Sequence, residues 1–462
     1  MPVKPFECQG YWWTPNRSEK CAGTLRCNDL GELRLHLFGS FETRDEGFSG
    51  ERVHVVYGEL VDLAGIERTA PKGTFVTLHD CFVNNQLRTS SGVNSQTLFV
   101  HRAFFGDSFL VTGGEQLNRA NLQFSGLAAW ASEITGFTRE TEPLFSTSWS
   151  QPATIQVSFP RGVMALNARP STNETARRTV LEESLSFNLT YQSPVNDSEL
   201  SKDVWALQNF LTFATDHPNA ATRFEVHQDG DQSRIPLTVL GPPVFDDETA
   251  AEGLLEDDLI FGHSDVQGRF EDVIRRWFAL AEKHTAAFAI YFGLKYNPPR
   301  YSDLRFQLMA QALSLYQTSG MGHQSVSILP HNFADTLDSS QRDALVRTHP
   351  LVVLAKTLRA LTEQHQAVFD PLINAHDDES RVTFLEMTTQ TFQYVLGREG
   401  GAPERAKGET YYWLMELLGF LWKISLLSDL GFSTAEQQRL FARNRLYRHI
   451  RDKIAPELFG RD

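Results

Sequence analysis

The sequence predicts an α+β chain of more than one domain, a β-rich N-terminal domain with a few helices followed by an all-α helical bundle. Three observations predict it. Short stretches of alternating apolar and polar residues fill the first half, helical periodicity takes over after Leu259, and 462 residues exceed one typical core. The expected order is a β-rich domain over 1–243, an acidic linker over 244–265 and a helical domain over 266–462.

Each element has a local reason. Leu33-Arg34-Leu35-His36-Leu37 alternates with the period of a half-buried strand, and residues 53–55, 75–78, 98–100 and 155–159 behave alike. Residues 185–191 alternate without a break, and Gly and Asn clusters mark turns between these runs. One helix is expected at 127–134. A second spans about 198–215, with Asp197 or Ser198 as N-cap and a stripe of Leu200, Val204, Leu207 and Leu211. Residues 223–227 and 235–240 flank Asp229-Gly230-Asp231 as a hairpin, with Pro236 at an edge or a strand start. The stretch 246–258 is crowded with Asp and Glu and reads as a linker, a solvated loop or an exposed helical turn. Helices are then expected at 270–282, 303–318, 341–349, 352–369, 382–395, 410–430 and 434–453. Residues 411–427 are apolar almost all round, as befits the central helix of a bundle. Short loops favour antiparallel neighbours.

Composition narrows the function classes. No apolar run reaches the roughly 18 residues of a membrane span, because Glu416, Gly419 and Lys423 interrupt the longest one. The first residues lack the apolar core of a signal peptide, so a cytoplasmic protein with no membrane partner is expected. The four cysteines, Cys8, Cys21, Cys27 and Cys81, show no C-x-x-C spacing and read as reduced thiols rather than zinc ligands. The net charge of −14 disfavours broad, nonspecific nucleic-acid binding, which counterion release drives, but leaves room for a local basic patch. Gly113-Gly114 lacks the Lys-Ser/Thr of a phosphate loop and no G-x-S-x-G elbow occurs, so no cofactor is expected. His79-Asp80, His263-Ser264-Asp265 and His376-Asp377-Asp378 read as exposed turns, since none has converging metal ligands at strand or helix spacing. Tyr11-Trp12-Trp13 reads as strand packing rather than a ligand platform.

The most basic stretch is the C-terminal one, with Arg439, Arg443, Arg445, Arg448, Arg451 and Lys453. Phe441 and Tyr447 interleave with them, a composition that suits phosphate contact plus base stacking. It also suits a surface helix packing through Leu440, Tyr447 and Ile450, the favoured alternative. Arg439, Arg445, Arg448 and Arg451 are the candidate RNA contacts.

The long apolar helix, the following Gly431-Phe432-Ser433-Thr434 and the basic tail resemble the last helices of the ApeA-like branch of the HEPN superfamily, RNA-cleaving domains of anti-phage defence. The first half resembles the domain that precedes HEPN in ApeA-like proteins. The matching pieces there include Gly10-Tyr11-Trp12-Trp13-Thr14-Pro15, Ala22-Gly23-Thr24-Leu25, Gly73-Thr74-Phe75-Val76-Thr77-Leu78, Trp130 and Phe210-Leu211-Thr212-Phe213. The resemblance implies a metal-independent endoribonuclease that works as a homodimer through its helical domain. In it a histidine handles the proton of the RNA 2′-hydroxyl, an arginine steadies charge on the phosphate and an asparagine orients them. That branch carries Arg-Asn-x-x-x-His before the long helix. Here the stretch is Thr391-Phe392-Gln393-Tyr394-Val395-Leu396-Gly397, with Phe392, Gln393 and Gly397 in place of the arginine, asparagine and histidine. Ser314 also stands where relatives often carry a glutamate.

A literal Arg, Asn and His combination lies after the long helix, as Arg443, Asn444 and His449. On one continuous helix Arg443 and His449 point about 120° apart, whereas Arg445 and His449 share a face. Two readings follow. One is an anti-phage abortive-infection ribonuclease with a displaced site of Arg443, Asn444 and His449, in which a dimer brings Arg443 or Arg445 to a partner's histidine, switched on by a phage-derived trigger. The other is a catalytically degenerate relative that senses or binds RNA, a phage protein or a HEPN partner. A third class, an adhesive or carbohydrate-binding β protein, rests only on the strands and aromatics of the first half.

Overall fold

The structure, a computed structural model, describes residues 5–17, 19–41, 52–61, 73–88, 94–110, 117–140, 146–175, 178–228, 235–241, 253–318, 350–375, 378–396 and 409–459. It divides into two compact units, Met1–Gln208 with Pro218–Glu252, and Asn209–His217 with Gly253–Asp462. The first is β-rich and the second helical, as the alternation and the helical periodicity require.

In the first unit β1 (Phe6–Trp13), β2 (Cys21–Cys27), β3 (Leu33–Leu37), β4 (Arg52–Leu60), β5 (Phe75–Arg88) and β6 (Asn94–Gly106) pair in the order β6-β3-β2-β1-β4-β5. The β5–β6 pairing closes that order into a barrel. Closure follows from period-two burial. On β1, Phe6, Cys8 and Trp12 point inward, and on β3 Leu33, Leu35 and Leu37 do so. The Trp12 ring fills so much of the interior that Gly58 opposite it has no room for a side chain. A Cβ there would stand 2.2 Å from the ring. Three of the four cysteines, Cys8, Cys27 and Cys81, lie in this apolar core outside any disulfide, and burial raises Cys27 to about 11.

The long strand β6 joins the barrel to the rest of one continuous sheet. Residues Gln96–Val100 pair with β3, and farther along, Ala103–Phe105 pair with β14 (Leu237–Leu240). The sheet then runs on antiparallel through β13 (Ala221–Gln228), β7 (Leu117–Phe124), β12 (Arg178–Val195) and β11 (Gly162–Thr175) to β10 (Ile155–Phe159). A separate ribbon pairs β8 (Phe137–Glu140) with β9 (Ser146–Trp149). The expected hairpin is present as β13 and β14, with Val226 opposite Leu237, although its turn at 229–231 lies outside the described residues. The helix expected at 127–134 shortens to α1 (Leu127–Trp130).

α2 (Asp197–Thr215) begins in the β-rich unit and ends in the helical one. The helical unit continues with α3 (Phe270–Lys283), α4 (Thr285–Tyr296), α5 (Ser302–Thr318), α6 (Pro350–Gln364), α7 (Gln366–Phe369), α8 (Asp378–Val395), α9 (Glu409–Asp429), α10 (Thr434–Arg443), α11 (Arg445–His449) and α12 (Ala455–Phe459). Two differences from the expected helices have local causes. The aromatic-rich run of α4 carries no stripe that the sequence reading isolates, yet Phe288, Tyr291 and Phe292 are buried. The helix expected over 352–369 breaks at His365 into α6 and α7. The helix expected at 341–349 lies outside the described residues. The expected central helix α9 is buried from Leu417 through Leu427. Near it, Phe210 and Phe213 from the end of α2 pack on Trp277 of α3, at 5.5 and 5.8 Å between ring centroids.

Candidate nucleic-acid interface

The C-terminal segment is not one helix. Ser433 opens α10 with a reciprocal cap: its hydroxyl accepts the Glu436 N–H at 3.3 Å, and the Glu436 carboxylate accepts the Ser433 N–H at 2.7 Å. The chain leaves the helix at Asn444, whose ψ of 127° is extended. The Asn444 side-chain oxygen then accepts the Tyr447 N–H at 3.0 Å and starts α11. Beyond His449 the chain takes a wide π turn over Ile450–Ile454 and enters α12. The single helix expected over 434–453 is therefore corrected to two helical stretches parted at Asn444, the second running on through the π turn. A polar Asn side chain competes for the backbone and breaks the helix. The 120° separation of Arg443 and His449 does not apply across that break, but Arg445 and His449 remain four apart on α11.

The aromatic residues interleaved in this segment face inward. Phe441 and Tyr447 stack on each other at 5.2 Å and meet Phe420 of α9. Leu440, Tyr447 and Ile450 are buried, so this segment packs as a surface helix does and offers no base-stacking platform through Phe441 or Tyr447. The arginines face carboxylates. Arg443 forks between Glu256 and Asp265, each at 2.6 Å. Arg448 reaches Asp257 at 3.3 Å, and Arg445, 74% exposed, stands 4.0 Å from Asp258. Two backbone-directed bonds hold the acidic run in place: Arg445 N–H donates to the Asp257 carbonyl at 2.8 Å, and the Asn444 amide donates to the Leu259 carbonyl at 3.2 Å. Arg451 pairs with its neighbour Asp452, and Arg439 is exposed on α10. His449 is exposed, with its ring 5.6 Å from that of Trp413. The structure thus gathers Arg445, Arg448 and His449 on one short helix. It ties Arg443 to carboxylates and buries Asn444 as a cap.

Residues 7–277 match the family described as ApeA N-terminal domain 1. The chain belongs to this family. The match covers the β-rich unit, continues through the acidic stretch and ends within α3. Membership of the ApeA N-terminal domain 1 family points to anti-phage defence. No curated protein and no solved structure matches the chain.

In this ApeA-family chain, the position before the long helix holds no charged pair. Phe392 is 5% exposed in the core, and the Thr391 hydroxyl donates to the Met387 carbonyl within α8 at 2.7 Å. Gln393 is half-buried, and Gly397 lies outside the described residues. Ser314 likewise donates to its own helix, at the Ala310 carbonyl. Of the three His-Asp runs, His79 and Asp80 part company. Asp80, with φ of 51°, bonds Arg52, and His79 faces Asp197, which Arg102 also holds. Asp265 of the second run accepts the Gly262 N–H at 2.9 Å besides binding Arg443. His376 and Asp377 lie outside the described residues. Among the described residues no group of three or more His, Cys, Asp or Glu is placed to hold a metal ion. No helix of the described residues is long and apolar enough to cross a membrane. Sequence reasoning missed the partners of the arginines. Their signal was present as Glu256-Asp257-Asp258, three acids in a row, which the linker reading absorbed.

Proposed function

We propose that the protein serves anti-phage defence as a sensing and RNA-binding protein. Its helical unit is HEPN-like without the cleaving pair, and its β-rich unit recognises a phage-derived trigger. The observation that carries this reading is the state of Arg443 and Asn444. Cleavage through the 2′-hydroxyl needs an arginine free to meet charge developing on the phosphate and a histidine free to take a proton. Arg443 spends both arms of its guanidinium on Glu256 and Asp265, and Asn444 is 2% exposed beneath α11. Phe392, at the other position, carries neither charge nor proton. What remains on the surface is cationic, namely Arg439, Arg445, Arg448 and Arg451, a set suited to phosphate contact.

The exposure of Arg445 and His449, one helical turn apart, favours a second reading. In a homodimer formed through the helical unit, Arg445 of one protomer and His449 of its partner would supply the missing pair. One assay separates the two. Purified protein is incubated with tRNA and total RNA in EDTA, with and without lysate from phage-infected cells, beside His449→Ala. Binding without cleavage is the expected result. Metal-independent cleavage that His449→Ala abolishes would overturn it and establish the displaced site.

A further inference from the structure

The acidic run that faces the arginines carries a second consequence, which rests on the RNA-binding reading above. We infer that Arg443, Arg445 and Arg448 form a phosphate-backbone surface that the chain itself occupies, with Glu256, Asp257 and Asp258 standing where RNA phosphates would lie. Guanidinium binds carboxylate and phosphate through the same planar fork of donors, so a row of carboxylates is the nearest protein mimic of a phosphate chain. Three successive acids meet three arginines, and Asn444 and Tyr447 between those arginines are buried.

The contacts grade from fixed to displaceable. Asp265 is 10% exposed and also closes the turn at Gly262, so its hold on Arg443 belongs to the fold. Glu256 is 72% exposed, the Arg448–Asp257 pair stands at 3.3 Å, and the Arg445–Asp258 pair is stretched to 4.0 Å. Asp258 is 23% exposed and also accepts the Leu255 N–H at 3.1 Å, but its arginine partner is exposed, and pairs open to water on at least one side are weak and screened by salt. The run is pinned just beyond, where Leu259, Ile260 and Phe261 enter the core and the Ile260 N–H donates to the Ala214 carbonyl. Residues 255–258, led by exposed Leu255, lift to free Arg445 and Arg448 at the cost of one backbone bond, from the Arg445 N–H to the Asp257 carbonyl. The protein therefore holds RNA weakly until this run is displaced, and the run competes with RNA rather than merely neutralising it.

The test is fluorescence anisotropy with a 20-nucleotide single-stranded RNA across a salt series. It compares the parent with the triple variant Glu256→Gln, Asp257→Asn, Asp258→Asn. Affinity is expected to rise about tenfold, and the slope of log affinity against log salt to steepen by roughly 1 as new phosphate contacts form. Adding Arg445→Ala and Arg448→Ala should remove the gain. A matched control, Glu282→Gln, Glu363→Gln, Glu457→Gln, changes net charge equally on exposed positions and should gain far less. Equal binding by parent and triple variant overturns the competition while leaving RNA binding standing. A gain that survives loss of the two arginines, or that the control reproduces, assigns it to general charge and overturns the inference. No binding by any of them overturns both readings. Native hydrogen–deuterium protection outside 255–258 confirms that each variant is folded.

Discussion

Asp216 is the residue whose surroundings make the strongest demand on the helical unit. It follows the end of α2 in a left-handed conformation, with φ of 57°, where the helix dipole disfavours an anion. Burial alone would raise its carboxyl. Lys295 at 2.7 Å and Lys423 at 2.6 Å outweigh that effect and hold it well below the usual carboxylate range. Lys423 is 2% exposed, and burial draws it below the usual ammonium value. Removing one member of such a cluster leaves buried cations uncompensated. Asp216→Asn is therefore expected to cost about 3–5 kcal/mol at neutral pH. The sign of the pH dependence follows from the depressed folded value. Asp216 contributes fully above the ordinary carboxylate range and loses that contribution as pH falls below it. Urea unfolding of parent and variant should show a wide gap at pH 7 that narrows towards pH 3. A gap constant over that range would mean that Asp216 acts through shape rather than charge.

At the level of strands and helices, much was legible because one face of each element is buried. Period-two alternation in β3 and β10 and the all-round apolar character of α9 are local signals, and the elements formed where they lie. Barrel closure was not legible. It depends on β6 pairing with β3 on one edge and with β5 on the other, and no alternation in a single strand records which partners it takes. The interruption at Asn444 was hidden for a related reason. Its neighbours Arg443, Arg445 and Leu446 are good helix formers, and only the Asn side chain turning back on the Tyr447 N–H reveals a break. Asn444 carries two bonds in a site 2% exposed, the cap on α11 and the donation to the Leu259 carbonyl. Asn444→Ala loses both and leaves buried backbone groups unmet, so a destabilisation of about 1–3 kcal/mol is expected by chemical denaturation. RNA affinity per folded molecule should hardly change. The opposite pattern, unaltered stability with lost RNA binding or cleavage, would show Asn444 to act on RNA directly and would restore the displaced catalytic reading.

The two units divide the chain differently from its run of composition. The acidic stretch suggests a boundary near 244–265, yet the helical unit includes 209–217 and begins its second part at Gly253. The reason is packing. Phe210 and Phe213 meet Trp277 and Phe261, and Tyr296 bonds both Asn209 and Thr212. Asp216 supplies the counter-charge for Lys423. A fragment of residues 253–462 keeps every helix from α3 onward and loses all of these. Each lost phenylalanine costs about 3–5 kcal/mol and the orphaned lysine about as much again, against a net stability of about 5–15 kcal/mol for a domain. The fragment is therefore expected to show helical far-ultraviolet dichroism without a cooperative near-ultraviolet melting transition. Adding a peptide of residues 197–217 should restore the transition in a concentration-dependent way, because binding only to the folded form stabilises it. Cooperative melting of the fragment alone near the parent's midpoint would show that the helical unit stands without α2. In that case α2 would belong to the β-rich unit alone.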